Sequence, residues 1–184
     1  KDFNPEIKAL LNVEDSQQRY KTMRSLLRQS TEFEPRRRED VDWVFLVALP
    51  AQARQIKPTL AFNFAADLPV YATSHVFSGA VDPKRDRDLN GIRFCDAPWL
   101  LRHTELYNDV EKSVKGGQGS YARLYAMGVD SYRLIARVKQ LEAFPESQIF
   151  GTTGALTLDD QRRIHRKTEC TRFRSGEPVQ LAIE

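Results

Sequence analysis

The strongest constraint on the fold is a run of apolar residues, Trp43-Val44-Phe45-Leu46-Val47-Ala48-Leu49, with no polar residue inside it. A strand with one solvated face alternates apolar and polar side chains, so an unalternated run predicts a strand covered on both faces, as in a parallel sheet flanked by helices. The run is the longest in the chain and falls well short of the roughly 18 apolar residues that a membrane-spanning helix needs. Pro50 at its exit suits the first turn of a helix. Ile56, Leu60 and Phe64 then share one face, with Pro58 expected to kink the helix or split it in two. Val70-Tyr71-Ala72-Thr73, after Pro69, reads as the next strand. Strand, helix and strand at this spacing form a right-handed βαβ unit.

Around that unit the pattern predicts further elements. Tyr20, Met23 and Leu27 recur at helical spacing behind Glu14-Asp15-Ser16, which predicts an amphipathic helix over Ser16 to Gln29, with Pro35 closing the stretch. Ser74 to Asn90 is a loop, and Gly91 to Cys95 resumes a strand. Pro98 to about Lys115 reads as helical, and Gly116-Gly117-Gln118-Gly119 breaks it as a flexible connector. Ser120 caps a long helix through about Leu141 whose apolar residues lie on several faces, so it wants neighbours on more than one side. The tail alternates: Ile149 to Gly151, Ala155 to Leu158 and Ile164 to Arg174 are strands, Asp159-Asp160 an Asx-type turn, and Ser175-Gly176 a hairpin turn. The fold class is therefore α/β, a mainly parallel sheet with helices on both faces and a β-rich C-terminal tail that joins the sheet or its edge.

The chemistry-bearing residues form no convergent set along the chain. His75, His103 and His165 have neither metal-ligand spacing nor a cysteine pair beside them. Ser74 beside His75 lacks a nucleophile elbow. The Gly116 to Ser120 segment follows no strand and lacks the Lys-Ser/Thr of a phosphate loop. Lys and Arg exceed Asp and Glu by 28 to 25, and the two signs are interleaved, as in Arg36-Arg37-Arg38-Glu39-Asp40, which reads as a solvated surface and not as a nucleic-acid-tracking stripe. These readings point to a non-catalytic binding domain that needs no cofactor, no metal and no nucleic acid.

The order of elements, with Asn90-Gly91-Ile92-Arg93-Phe94, then Ala126-Met127-Gly128-Val129-Asp130-Ser131-Tyr132, then Phe150-Gly151-Thr152-Thr153-Gly154 through Asp159, resembles the second half of the type I periplasmic binding proteins. More specific are Ala9 to Tyr20, Glu34 to Asp42, Phe45 to Ile56, Pro69 to Ser74 and Leu89 to Phe94, which look like the C-terminal domain of the LpoA family, outer-membrane lipoproteins that activate a class A penicillin-binding protein. The resemblance implies a second lobe made of about residues 1–118 and 150–184, with about 119–149 a helix belonging with the first lobe. It implies most of a first lobe ahead of Lys1, a periplasmic location, an upstream lipid anchor to the inner leaflet of the outer membrane as the sole membrane attachment, and a class A penicillin-binding protein as partner. A periplasmic solute-binding protein holding a small ligand between lobes is the competing reading.

Several residues carry expectations. Arg36, Arg37, Arg38 and Trp99 are candidate partner contacts, because Arg and Trp most often dominate interfaces; the plainer readings are surface for the arginines and core for Trp99. Leu49, Pro50, Thr73, Ser74 and His75 would form the cleft rim, because ligands in open α/β sheets sit beyond the carboxyl ends of strands. Cys95 and Cys170 fall on strands that the resemblance places in one lobe. In an oxidising compartment they would form a disulfide with Cα atoms about 4.4–6.8 Å apart; two buried free thiols are the alternative.

Overall fold

The computed structural model describes residues 2–28, 32–114 and 119–181. Its centre is a five-stranded sheet in the order β1 (Val44–Leu46), β2 (Val70–Ala72), β3 (Arg93–Asp96), β7 (Glu169–Arg174), β8 (Glu177–Gln180). The first three strands are parallel, and the tail hairpin β7–β8 adds to the β3 edge antiparallel. That hairpin turns at Ser175 and Gly176, both at positive φ, as the sequence predicts. A second, three-stranded antiparallel sheet holds β4 (Ile149–Phe150), β5 (Ala155–Leu158) and β6 (Ile164–Lys167). The stretch Ile164 to Arg174 is thus two strands in two sheets, parted at Thr168.

Packing on the central sheet is one-sided. Leu46, Val70, Ala72, Phe94 and Phe173 point inward and meet Ile7 and Leu11 from the α1 region (Asn4–Leu10), Ala53 and Leu60 of α3 (Pro50–Leu60), and Phe77. Phe77 sits 5.9 and 6.0 Å from the rings of Phe94 and Phe173, which stack at 5.1 Å, so three aromatics tie β3 and β7 to the loop after β2. Arg54 of α3 secures the following loop through Asp86, which is 2% exposed, with Nε and Nη2 at 2.9 and 2.6 Å from one carboxylate oxygen.

The expectation that Trp43 to Leu49 is covered on both faces is corrected. Only Val44–Leu46 is strand, and while Leu46 and Ala48 are buried, Trp43, Phe45, Val47 and Leu49 are 56–72% exposed. Apolar character reports that a side chain gains by leaving water; it does not supply the element that covers it. Among the described residues no helix lies over this outer face.

The helices also differ in detail from the sequence pattern. α2 runs Val13–Leu27 and buries Val13 and Ser16, whereas Met23 and Leu27 stay exposed. Ser16 does not cap it but accepts Arg36 N–H at 3.2 Å from inside the helix. Pro58 neither ends nor splits α3, because a proline removes one N–H donor and the chain continues to Leu60; the break comes at a π turn where Phe64 has φ 64°. The segment from Pro98 is two helices, α4 (Pro98–Leu101) and α5 (Glu105–Ser113), since Thr104 starts a new one by accepting Tyr107 N–H at 3.2 Å. The long helix is likewise divided, into α6 (Ala122–Ile135) and α7 (Val138–Ala143). Most of the expected Gly-rich connector, residues 116–118, lies outside the described residues.

Candidate functional site

α6 turns a narrow stripe of Ala122, Ala126 and Asp130, at i, i+4 and i+8, toward the protein. Small side chains let the helix approach closely, and the polar residues of this face then act as clasps. Asp130, 4% exposed, receives Thr152 N–H at 2.7 Å on Oδ1, and Thr153 N–H and Thr153 Oγ1–H, both at 2.7 Å, on Oδ2. Thr152 Oγ1 lies 2.8 Å from Ala126 O and 2.9 Å from Asp130 Oδ1; with one proton, it donates to one of them at a time. A buried carboxylate is tolerable only with such a full set of donors. A Cβ on Gly151 would meet Asp130 Oδ2 at 2.5 Å, so the glycine in this crossover is required by the clasp.

About two turns earlier in α6, Arg123 reaches the carboxyl ends of two strands. Its Nε and Nη2 donate to Asp96 Oδ1 and Oδ2 at 3.0 and 2.5 Å, and Nη2 also contacts Ser74 O and Phe77 O at 2.8 and 3.1 Å. Asp96 is 3% exposed and ends β3; Ser74 follows β2. α6 is therefore bolted to the strand-end rim at one point and to the β4–β5 crossover at another.

Its other side is bare. Tyr121, Leu124, Met127, Tyr132 and Ile135 are 52–80% exposed. Of these, Tyr121, Leu124 and Tyr132 border, with Tyr125 and with Leu106 and Val110 of α5, an apolar groove of about 780 Å³. The outer face of the sheet is equally open: Phe45, Tyr71, Arg93, Arg172 and Val179 stand in register across all five strands. Trp43 meets Tyr71 edge-on at 6.2 Å, and the Arg93 guanidinium lies 5.5 Å from the Tyr71 ring centre while donating to its hydroxyl at 2.9 Å.

The structure brings the rim residues together at the ends of β1 and β2. Thr73 N–H bonds Leu46 O at 3.2 Å, Leu49 and Pro50 open α3, and Ser74 and His75 open a short 3-10 turn. The Thr73 hydroxyl is buried with no hydrogen-bond partner. The basic run is dispersed: Arg36 and Arg38 are exposed, while Arg37 is half-buried against Asp67 at 2.8 Å. Arg38 pairs with Asp40 at 2.6 Å and holds that carboxyl down at about 2. Trp99 is corrected as a partner contact. It is 2% exposed, its ring lies 5.0 Å from Tyr107, and α4 is anchored by Trp99 N–H to Thr152 O at 2.9 Å, so a core role absorbs it.

Cys95 and Cys170 are disulfide-bonded with Cα atoms 3.9 Å apart, closer than the expected range. They face each other directly in the β3–β7 ladder. Phe173 N–H bonds Ile92 O, which makes every second pair from there hydrogen-bonded and leaves Cys95 and Cys170 as a non-hydrogen-bonded pair, where strands approach most closely. Neither cysteine is buried, contrary to the free-thiol alternative on both counts. Sequence reasoning missed Asp96, Arg123, Asp130, Thr152 and Thr153. A usable signal was the pairing of Gly151 with two hydroxyl residues, since a glycine followed by short donors marks a close approach to an acceptor.

No helix is long and apolar enough to cross a membrane, among the described residues. Curated relatives named penicillin-binding protein activator LpoA include one from Vibrio vulnificus, 32% identical over 166 residues that cover 88% of this chain and 27% of the relative. One from Edwardsiella piscicida is 31% identical and shares 76% of this chain and 21% of its own length. The chain thus spans about a quarter of the curated relatives it matches. Among solved structures, the LpoA C-domain of Haemophilus influenzae superposes with TM-score 0.65 at 24% identity, covering 88% of this chain and 49% of that one. Full-length LpoA from the same organism gives 0.66 at 27%, over 78% and 27%. A Chromobacterium violaceum protein described as a "putative branched-chain amino acid ABC transporter" gives 0.55 at 30%, over 72% and 42%, which marks the fold as type I periplasmic binding protein-like. The sequence matches the family described as "LppC putative lipoprotein" over residues 1–176, and this chain belongs to that family.

Proposed function

We propose that this chain is part of a non-enzymatic regulator of peptidoglycan synthesis that binds and activates a class A penicillin-binding protein. The observation that carries the reading is the family match along residues 1–176, together with relatives named as penicillin-binding protein activators and a Haemophilus C-domain described as a regulator of PBP1A. The protein acts in the periplasm, tethered by a lipid anchor to the inner leaflet of the outer membrane. Residues of about 1–118 and 150–184 form its second lobe, and about 119–149 belong with a first lobe; the uncovered apolar side of α6 supports that division. An activator needs only to bind one conformation of the enzyme better than another, and a tenfold preference takes about 1.4 kcal/mol. Arg36 and Arg38, exposed on one loop, are the contacts with the synthase. The test is a glycan-polymerisation and cross-linking assay with purified synthase and full-length protein. Stimulation that falls in an Arg36→Glu/Arg38→Glu variant supports the proposal, and unchanged rates with the unmodified protein end it.

The unpartnered Thr73 hydroxyl at the strand-end rim favours a second reading, a small solute held beside Leu49, Pro50, Thr73, Ser74 and His75. A small amino acid that fills such a site at 100 times its Kd would stabilise the folded protein by about 2.7 kcal/mol. A thermal-shift screen of aliphatic amino acids decides it, because no shift with any of them removes the reading.

A further inference from the structure

We propose that the Cys95–Cys170 bond is a thiol–disulfide exchange site, opened in the folded protein by a dithiol reductant of the thioredoxin class. Four observations carry this. Both cysteines lie on the uncovered face of the central sheet, and neither is buried. Cys170 also lines a groove of about 540 Å³ between the two sheets, walled by Pro98, Arg102, Phe150 and Lys167, which gives an extended dithiol segment a seat beside this residue. The next rung on the same face is Arg93 opposite Arg172, about 7 Å along the strands. Finally, the strands do not depend on the bond for their register: Phe94 and Phe173 stack at 5.1 Å on the buried face, and the β3–β7 ladder continues past the cysteines.

The reaction follows from that placement. A thiolate of the reductant, seated in the groove, attacks Cys170 Sγ and forms a mixed disulfide. The Cys170–Cys95 bond breaks, and Cys95 leaves as a thiolate two positions from Arg93 on the same face; the Arg93 guanidinium itself lies against Tyr71, so its charge favours the anion through space and not by contact. The second thiol of the reductant then displaces Cys170. In total two electrons and two protons pass to the protein, which gains two thiols, and the reductant departs as its own disulfide. The adjacent rung places Asp96 opposite Glu169, two carboxylates neutralised separately by Arg123 and Arg102.

The experiment treats the folded protein with dithiothreitol and counts released thiols while following its circular dichroism. The expected result is two thiols per chain, at a rate proportional to dithiothreitol concentration, with the folded signal retained. Thiol release that is independent of dithiothreitol concentration and keeps pace with loss of the folded signal overturns the proposal. A thioredoxin whose resolving cysteine is replaced by serine is then used as a trap, and peptide mapping should find it on Cys170; capture on Cys95 overturns the direction of attack. Arg93→Gln should slow exchange by about twofold or more at low salt, with the difference shrinking at high salt, while Arg93→Lys keeps the original rate. Equal rates for all three proteins remove the role given to Arg93.

Discussion

The two faces of the central sheet are built from the same strands and both carry large apolar side chains, yet only one is a core. Leu46, Val70, Phe94 and Phe173 are at most 7% exposed, whereas their neighbours Phe45, Val47 and Tyr71 are 39–72% exposed. Alternation of side chains along a strand divides residues between faces, and nothing in that geometry ranks the faces. The buried face is the one that α1, α3 and the Phe77 loop reach. The open face is stabilised by contacts between its own residues, such as Trp43 with Tyr71 and Tyr71 with Arg93.

This contrast can be broken most directly by paired truncation. Phe173→Ala should destabilise the protein by about 3–5 kcal/mol, and Phe45→Ala by about 0.5 kcal/mol or less, as read from urea denaturation midpoints. Comparable losses would show that the outer face is packed in solution. A smaller effect sharpens the comparison at the helix that has one clasped and one bare side. Asp130→Asn replaces one carboxylate oxygen by an NH₂ group that cannot accept, so either the two Thr153 donors or the Thr152 donors lose their acceptor; it should cost about 2–3 kcal/mol, whereas Met127→Gln on the bare side should cost about 0.5 kcal/mol or less. Hydrogen exchange at Thr152 and Thr153 would report the loss locally.

The smallest effect belongs to a surface turn, where solvent screens the electrostatics. Asp159 accepts from His165 Nε2 and Arg163 Nε, both at 2.7 Å, and from the N–H groups of Gln161 and Arg163. The His165 contact first, and the Arg163 backbone second, hold this carboxyl well below the ordinary carboxylate range. Because the folded value lies below the unfolded one, the contribution to stability is present above the ordinary carboxylate pKa and fades as acid titrates the folded group. Carbon-detected NMR should show Asp159 still ionised at pH values below the ordinary carboxylate range; titration within that range would mean the turn is not formed.

The sequence was most informative where a local rule governs the outcome, although Ser16 and Pro58 escaped such rules. The β1–α3–β2 unit, the positive-φ turn at Ser175 and Gly176, and the Asx turn at Asp159 each depend on residues within a few positions of one another. Burial of the Trp43 to Leu49 run was misread because coverage is a property of the neighbouring layer. The clasps were invisible for a different reason: Asp130 and its threonines are 22 and 23 residues apart, and Arg123 and Asp96 are 27, so no short pattern announces them. Ile164 to Arg174 read as one strand because no Gly, Pro, Asn or Asp marks the transfer at Thr168.

That transfer limits how the molecule can deform. β6 ends at Lys167 in one sheet and β7 begins at Glu169 in the other, so Thr168 is the entire connection. Along this path the two sheets have two soft internal coordinates between them, the φ and ψ of a single residue. A hinge so short converts a small torsion directly into rotation of one sheet against the other, with no slack in which the motion could dissipate.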